Sequence, residues 1–452
     1  MNQKFKSNTI WIVMGAIVKA LIGFILTILT ARYLGPSNFG IIGYVNSISN
    51  LFSAFASLGL INVLVKEHTN HKDEGGEITG TAIILQIISS LISYVLIVSA
   101  VFITNMNNKT ILICAFIQGA YHLLNCFEGI NYYYQSKFQS KYTVIITLIA
   151  YIVVQTFKVF LLITNKGVVW FSVALCLEPL VASICLFITY IHNKEPKLKF
   201  SKAVAKRLLK QCIPFILAGT ITVLYGSIDK IMLKEIFKGT EQVGFYNVGH
   251  GLSYFYAFLL TAVTTSFSAI IYELYKDKDL EQANLRSRQL YFIIFAVGFI
   301  ASIGFTCLSH FFVPLIYGEA YRASILPTIF LAWSVPFAYV GGARVIQMTA
   351  ENKQKYIILF SVSTVLLNIL FNSLLIPRFG AAGAAFATLI SEMFVCLVMP
   401  IVVKTTRAIG KNVLCAMIGK GVNLGGLKTT ILLTLRKKKE TKNFIEKEND
   451  NE

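Results

Sequence analysis

The chain has 452 residues, 55% of them apolar and only 14% charged, with a net charge of +19 and a mean hydropathy of +0.66. A soluble domain carries about 25% charged residues, so this composition excludes an ordinary soluble protein and implies an integral membrane one. The positive charge is not read as nucleic-acid binding, because no basic patch with interleaved stacking aromatics stands on a soluble module.

Apolar runs of about 20 residues, the length a helix needs to cross a bilayer, occur twelve times. They lie near 10–31, 39–65, 79–104, 110–131, 142–164, 167–191, 212–233, 247–272, 290–313, 325–349, 356–376 and 382–403. The first run is followed by Ala31-Arg32-Tyr33 without a small-residue cleavage pattern and reads as a retained helix. Lys4 and Lys6 place the N-terminus in the cytoplasm. Alternating the spans from there puts seventeen Lys/Arg in five inner loops and seven in six outer loops, in keeping with the positive-inside rule. Both termini are then cytoplasmic. The eight cysteines lie within or beside apolar spans and read as packing residues, with no disulfide or metal pairing.

Helix one carries Lys19 near its centre, on a stripe with Ala16, Gly23 and Thr27. A charge at mid-bilayer costs about 2.5–3.5 kcal/mol even on the lenient scale, so Lys19 is expected to face a protein interior or a wet cavity. Between helices one and two, Gly35 and Gly40 flank a turn whose spacing returns as Gly239 and Gly244. This echo predicts two related halves, each with a tight glycine hairpin at the membrane surface; an ordinary Gly-rich turn is the alternative. Helix two aligns Asn46, Asn50, Ser53 and Ser57 on one face, although small polar residues also serve helix packing. The next inner loop holds His68 and His71, a weak zinc signal. Helix three is unremarkable.

Helix four presents Gln118, His122, Asn125, Glu128 and Tyr132, and helix five Thr147, Tyr151, Gln155 and Lys158. Glu178 stands beside Pro179 in helix six. An internal Lys158–Glu128 or Lys19–Glu178 ion pair accounts for these charges without a ligand. Residues 192–211 form the most basic inner loop, a linker with an amphipathic piece from Ser201 to Leu209 suited to anionic lipid or to a negatively charged substrate headgroup. In the second half, Asp229-Lys230 are adjacent opposite charges, helix eight offers Asn247, Gly251, Tyr254 and Thr261, and helix eleven Ser361, Thr364, Asn368 and Asn372. Arg344 is near the inner end of helix ten, placed to snorkel or to contact an anion, and Glu392 lies at mid-depth in helix twelve. Residues 1–191 therefore read as an N-lobe, 192–211 as a basic cytoplasmic linker, 212–403 as a C-lobe and 404–452 as a basic, largely disordered cytoplasmic tail. Disorder is expected from Arg436 onward.

Five landmarks in order carry a family resemblance: Ala31-Arg32-Tyr33-Leu34-Gly35-Pro36 with Phe39-Gly40; Asp229-Lys230-Ile231-Met232-Leu233; Val243-Gly244-Phe245-Tyr246; Leu315-Ile316-Tyr317-Gly318 with Tyr321; and Pro377-Arg378-Phe379-Gly380-Ala381-Ala382-Gly383-Ala384-Ala385. Over nearly its whole length the chain resembles the Wzx-type polysaccharide flippases of the multidrug/oligosaccharidyl-lipid/polysaccharide exporter superfamily. The resemblance implies an all-α, MATE-like membrane fold of two pseudo-symmetric six-helix lobes around a central cavity, with alternating access. It implies a cargo of oligosaccharide repeat units on polyprenyl (usually undecaprenyl) pyrophosphate, for O-antigen, capsule or exopolysaccharide. The setting is the bacterial inner membrane, beside a polysaccharide polymerase and a chain-length regulator, and no cofactor is implied. For such a cargo Lys19, Lys158 and Arg344 are candidates to meet the pyrophosphate. Asn46, Asn50, Gln118, His122, Asn125, Tyr151, Gln155, Asn247, Tyr254, Asn368 and Asn372 are candidates to line the cavity, and Glu128, Glu178, Asp229 and Glu392 to couple ion movement. A cation-coupled multidrug exporter of the same superfamily is the nearest rival. A membrane polymerase or glycan ligase needs an outer reaction centre that these short outer loops do not offer.

Overall fold

The computed structural model describes residues 2–423, and every regular element among them is a helix. α1 (Asn2–Leu51) holds the first two expected spans in one element, divided at Gly35 by a non-helical backbone (φ 73, ψ 170) that glycine adopts without a side-chain clash. α2 (Ser53–Ala56) and α3 (Ile61–Asn70) follow, then α4 (Gly75–Thr104). α5 (Lys109–Gly119), α6 (Tyr121–Leu124) and α7 (Glu128–Ser136) divide what reads in the sequence as one span. α8 (Ser140–Ile163), α9 (Val168–His192) and α10 (Lys202–Phe237) are long, whereas α11 (Glu241–Ser253) and α12 (Ala257–Lys276) divide another expected span. α13 (Leu280–Tyr317), α14 (Ile325–Ala350) and α15 (Gln354–Met393) lead through a π-helical turn at Phe394–Val398 to α16 (Met399–Val402) and α17 (Arg407–Met417). α17 is a regular helix in a segment that the sequence offers only as tail; the stretch from Arg436 lies outside the described residues.

Nine helices among the described residues are long and apolar enough to cross a membrane, or ten with the pair 22–51 and 53–70, which is bent by 47°. The count is below the expected twelve partly because α1 and α15 each run through a glycine break, at Gly35 and Gly380, that falls between two expected spans.

The helices are inverted relative to those of a soluble protein. On α4, Ile88, Leu91, Ile92 and Val95 are exposed while Gln86, Ser90 and Ser93 are buried. Lipid tails solvate the branched apolar groups, and small polar residues let helices approach. The polar face of α4 has a specific use. The expected helices over 39–65 and 110–131 are interrupted, and a helix break frees carbonyls that need a partner in a dry interior. Ser89 Oγ donates to the Ala56 carbonyl at 2.7 Å and Gln86 Nε2 to the Asn125 carbonyl at 3.3 Å. Helix three thus supports the breaks in helices two and four, a polar role that its sequence reading lacked.

The described chain groups into two compact units. The first holds the chain up to Val248 with His310–Ile325 and Ile369–Ala384, and the second holds Gly249–Ser309, Leu326–Asn368 and the chain from Ala385.

Within the first unit, the residues between α9 and α10 form a strap along the start of α4. Lys199 N donates to the Gly76 carbonyl at 3.2 Å, Ser201 N to Thr81 Oγ1 at 2.9 Å, and Tyr190 OH to the Pro196 carbonyl at 2.6 Å. A β-carbon at Gly76 would strike the Lys197 carbonyl and one at Gly80 the backbone of Lys199, so these glycines admit the strap. The expected amphipathic piece is the first turns of α10. Its inner side is fixed by buried Glu67, which forms an ion pair with Arg207 Nε at 2.8 Å and accepts a hydrogen bond from Gln211 Nε2 at 2.7 Å, while Arg207 Nη2 reaches Glu74 at 2.5 Å. Arg207 is 31% exposed and Gln211 stays on Glu67, so leaving the buried carboxylate without its guanidinium costs about 1–3 kcal/mol. Arg207→Ala is therefore expected to lower thermal stability in detergent by that order, and Arg207→Lys to recover part of it. An unchanged melting midpoint for Arg207→Ala would remove the clamp.

The two glycine hairpins meet in the same unit. A β-carbon at Gly40 would overlap the Thr240 carbonyl oxygen, and one at Gly244 would overlap the Pro36 carbonyl oxygen. Pro36 follows Gly35 as Thr240 follows Gly239, so the contact is reciprocal between the two copies of the repeat, the pattern of a pseudo-two-fold axis. Thr240 Oγ1 donates to the Ser37 carbonyl at 2.8 Å, and Tyr321 OH to the Ala31 carbonyl at 2.8 Å. The Tyr321 ring meets Phe39 and Phe245 edge-on.

Candidate functional site

A cavity of about 270 Å³ opens inside the first unit, lined by Asn46, Ser49 and Asn50 of α1, Gln118 and Tyr121 of α5 and α6, and Leu175, Cys176 and Glu178 of α9. Asn46 and Asn50 are exposed to it, one helical turn apart. Ser49 between them is tied down: His122 Nε2 lies 3.1 Å from the Ser49 carbonyl and 3.3 Å from its hydroxyl. Gln118 is held by donation from Nε2 to Ser172 Oγ at 2.9 Å.

Lys19 Nζ lies 3.6 Å from Oε1 of Glu178, which lines the cavity, with the two side chains 29% and 36% exposed. These are half-wet charges on transmembrane helices. Tyr151 OH donates to the Lys19 carbonyl at 2.8 Å, and the ammonium stands 5.4 Å from the centre of the same ring. That approach needs Gly23, since a β-carbon there would collide with the Tyr151 hydroxyl. Lys158, on α8 with Tyr151, is partly buried and also feels the charge of Glu178. Glu178, which lines the cavity, therefore pairs with Lys19 and acts electrostatically on Lys158.

The remaining expected residues have other neighbours. Glu128 accepts from Asn125 Nδ2 and Tyr132 OH, both at 2.7 Å, so the pairing that forms is Lys19–Glu178 and not Lys158–Glu128. Gln155 is buried with its Oε1 unpartnered among the described residues. Asn247 packs where Gly43 has no side chain. Asp229 is enclosed, accepting from Tyr246 OH at 2.5 Å and Asn372 Nδ2 at 2.6 Å, with Lys230 acting on it electrostatically.

In the second unit Tyr254 stacks on His250 at 4.4 Å and Asn368 donates to Thr388 at 3.3 Å. Arg344 is buried, donates to the carbonyls of Val395 and Cys396 at 2.9 and 3.3 Å, and lies over Phe360. Those carbonyls belong to the π turn, whose irregular bonding makes them available. Glu392 adds an electrostatic attraction to Arg344.

Ser49, Tyr121, Leu175 and Cys176 line the cavity without standing among the residues expected there. Ser49 stands three residues after Asn46 and Tyr121 three after Gln118, the helical spacing that would have placed both on the chosen faces. A second polar cluster in the first unit also stands outside the expected residues. Tyr44 OH donates to Glu235 at 2.8 Å, Asn105 Nδ2 to Tyr44 OH at 3.1 Å, and buried Lys234 pairs with Glu235 at 3.0 Å. Lys234 falls in an expected outer loop, yet α10 continues past the apolar run to Phe237 and carries it inside.

Residues 5–271 match the family described as polysaccharide biosynthesis protein. A capsular polysaccharide biosynthesis protein of Staphylococcus aureus, CapF, is 24% identical over 398 residues, covering 84% of this chain and 94% of its own. Among solved structures, the chain is similar to the lipid II flippase MurJ in an inward closed conformation, with a TM-score of 0.68, 14% identity and 90% of each chain covered. It is also similar to an inward-facing multidrug resistance MATE family transporter of the MOP superfamily, with a TM-score of 0.66, 14% identity, and 91% of this chain and 99% of that one covered. The fold is thus all-α, multi-pass and MATE-like.

Proposed function

This chain belongs to the polysaccharide biosynthesis protein family, and we propose that it is a flippase moving polyprenyl (undecaprenyl) pyrophosphate-linked oligosaccharide units from the cytoplasmic to the outer leaflet by alternating access. The observation that supports the reading is Glu178 at the wall of an amide-lined cavity, paired with Lys19 and acting electrostatically on Lys158. Isolated charges are expelled from a bilayer unless they serve a wet site, and two ammonium groups against one carboxylate favour an anion. At about 270 Å³ the cavity is below the ~300–1,000 Å³ of a pocket that encloses a whole small ligand, so it takes part of a larger cargo. Asn46, Asn50, Gln118 and Tyr121 supply hydrogen bonds for sugar hydroxyls, and lysines, as point charges, hold a pyrophosphate without the bidentate grip that would hinder release. Both termini lie in the cytoplasm in this reading, and a polymerase with a chain-length regulator takes the product outside.

Deleting the gene in its native host tests the proposal. The expected result is loss of surface polysaccharide with single lipid-linked units stranded in the cytoplasmic leaflet. Units stranded outside indicate a polymerase, and intact polysaccharide with new sensitivity to cationic drugs indicates a multidrug exporter.

Ion coupling is assigned to one or more of Glu128, Glu178, Asp229 and Glu392. Glu128 and Asp229 are already satisfied by neutral donors. Glu178, half-exposed at the cavity, is placed to exchange partners. Neutralising the coupling carboxylate is expected to make transport in vesicles insensitive to collapse of the ion gradient. Retained gradient dependence in all four single variants removes the assignment.

A further inference from the structure

α10 is 36 residues long, about 54 Å at the helical rise, whereas the hydrocarbon core is about 30 Å thick. Its first turns therefore extend beyond the hydrocarbon. One side of these turns is occupied: Val204, Leu208 and Cys212 pack with Leu60, Val63 and Leu64, and Arg207 is held by Glu67 and Glu74. The opposite side carries Lys202, Lys206 and Lys210, all exposed and four residues apart. Continuing along the same line come Ile213 and Leu217, 56% and 63% exposed. The outward face changes from ammonium to branched apolar within one turn, which marks where the helix enters the hydrocarbon.

No ion pair of these three lysines occurs among the described residues. Three of the nearby acids are engaged elsewhere: Glu67 and Glu74 with Arg207, and Glu195 with Lys137 and Tyr133. The strap before α10 is fixed on α4 and adds exposed Lys199 and Phe200 next to the ladder.

We propose that the Lys202–Lys206–Lys210 face is a docking strip for the anionic headgroups of membrane phospholipid. The ladder covers about 12 Å of helix axis, lies in line with lipid-facing residues, and presents flexible, hydrated point charges suited to exchanging headgroups. Polyprenyl pyrophosphate shares the anionic lipid chemistry. Phospholipid is favoured because the cavity is lined from α1, α5, α6 and α9 and by no residue of α10. The strip holds a shell of anionic lipid against the clamped start of α10, and it does so whether or not the chain is a flippase.

The test uses the full-length protein in nanodiscs of phosphatidylcholine with graded phosphatidylglycerol, counting the lipids retained by native mass spectrometry. The wild type is expected to enrich phosphatidylglycerol in a salt-sensitive way. Each lysine changed to glutamine should weaken retention about fivefold, and the triple Lys202→Gln/Lys206→Gln/Lys210→Gln variant should abolish the enrichment. The triple arginine variant, which preserves charge, should keep it and so controls for folding. Equal retention by the wild type and the triple glutamine variant overturns the proposal, as does a wild type that does not prefer phosphatidylglycerol. A glutamine variant that keeps phosphatidylglycerol but loses a polyprenyl pyrophosphate probe also overturns it, by assigning the strip to cargo.

Discussion

Replacing Lys19 or Lys158 by alanine is expected to reduce export of the lipid-linked unit at least tenfold at unchanged protein level. In the proposed site two lysines stand against the one carboxylate of Glu178, so losing either removes one of its two cationic groups. A tenfold loss corresponds to about 1.4 kcal/mol, a modest demand on a half-buried charge that would otherwise meet a doubly ionised group. Folding should survive Lys19→Ala, because Tyr151 donates to the backbone carbonyl of residue 19 and that bond does not need the lysine side chain. Lys19→Arg should preserve export. Glu178→Gln moves the charge the other way. Without its carboxylate the site becomes more positive, so cargo should bind more tightly and leave more slowly, giving higher occupancy with lower turnover. Surface polysaccharide, with membrane protein measured by immunoblot, reads the alanine variants, and labelled cargo retained on purified protein reads Glu178→Gln. Full export by both alanine variants would remove the cationic site.

The charges were legible in the sequence because the bilayer makes them rare. Lys19, Lys158 and Glu178 stand out against apolar runs, and helical spacing alone put Asn46, Asn50 and Gln118 on faces where they line a cavity with Glu178. What spacing does not tell is which polar residues meet a ligand and which mend the backbone. Asn125, Glu128 and Tyr132 bond to one another beside a helix break, and Gln86 and Ser89 bond to freed carbonyls. Gln86, Ser90 and Ser93 were spaced for one face, but isoleucines and leucines around them diluted the stripe. The breaks themselves, at Leu58-Gly59 with positive φ and between α5, α6 and α7, depend on packing against α4 and leave no apolar gap to read. Arg344 shows the same limit: the π turn whose carbonyls it serves is fifty residues away in sequence. The glycine repeat, in contrast, was legible as a repeat, and its physical purpose appears only when its two copies are seen to touch.

That contact gives the second large expected effect. Gly40→Val and Gly244→Val should each shift the molecule away from the state in which the two hairpins touch. The obstacle to a side chain at either position is a carbonyl oxygen of the other hairpin, fixed in backbone, so it cannot swing aside as a flexible side chain would. Overpacking of this kind costs about 1–3 kcal/mol, which changes the ratio of two conformations about 5- to 150-fold. If the hairpins meet at the outer surface, as the proposed topology has it, the consequence is an outer end that spends more time open. Thr240→Cys is a suitable reporter, since residue 240 is buried at the contact and its main-chain carbonyl, the group facing Gly40, is retained. In a background without the native cysteines, labelling by an impermeant maleimide from outside should rise several-fold in either valine variant. The reciprocal geometry adds a sharper expectation. Once one valine has parted the hairpins, the second meets no carbonyl, so the double variant should label little faster than the singles, far short of additivity. Independent, additive increases would mean that the two glycines act at separate places, and unchanged labelling in all three variants would mean that the contact does not hold this end closed.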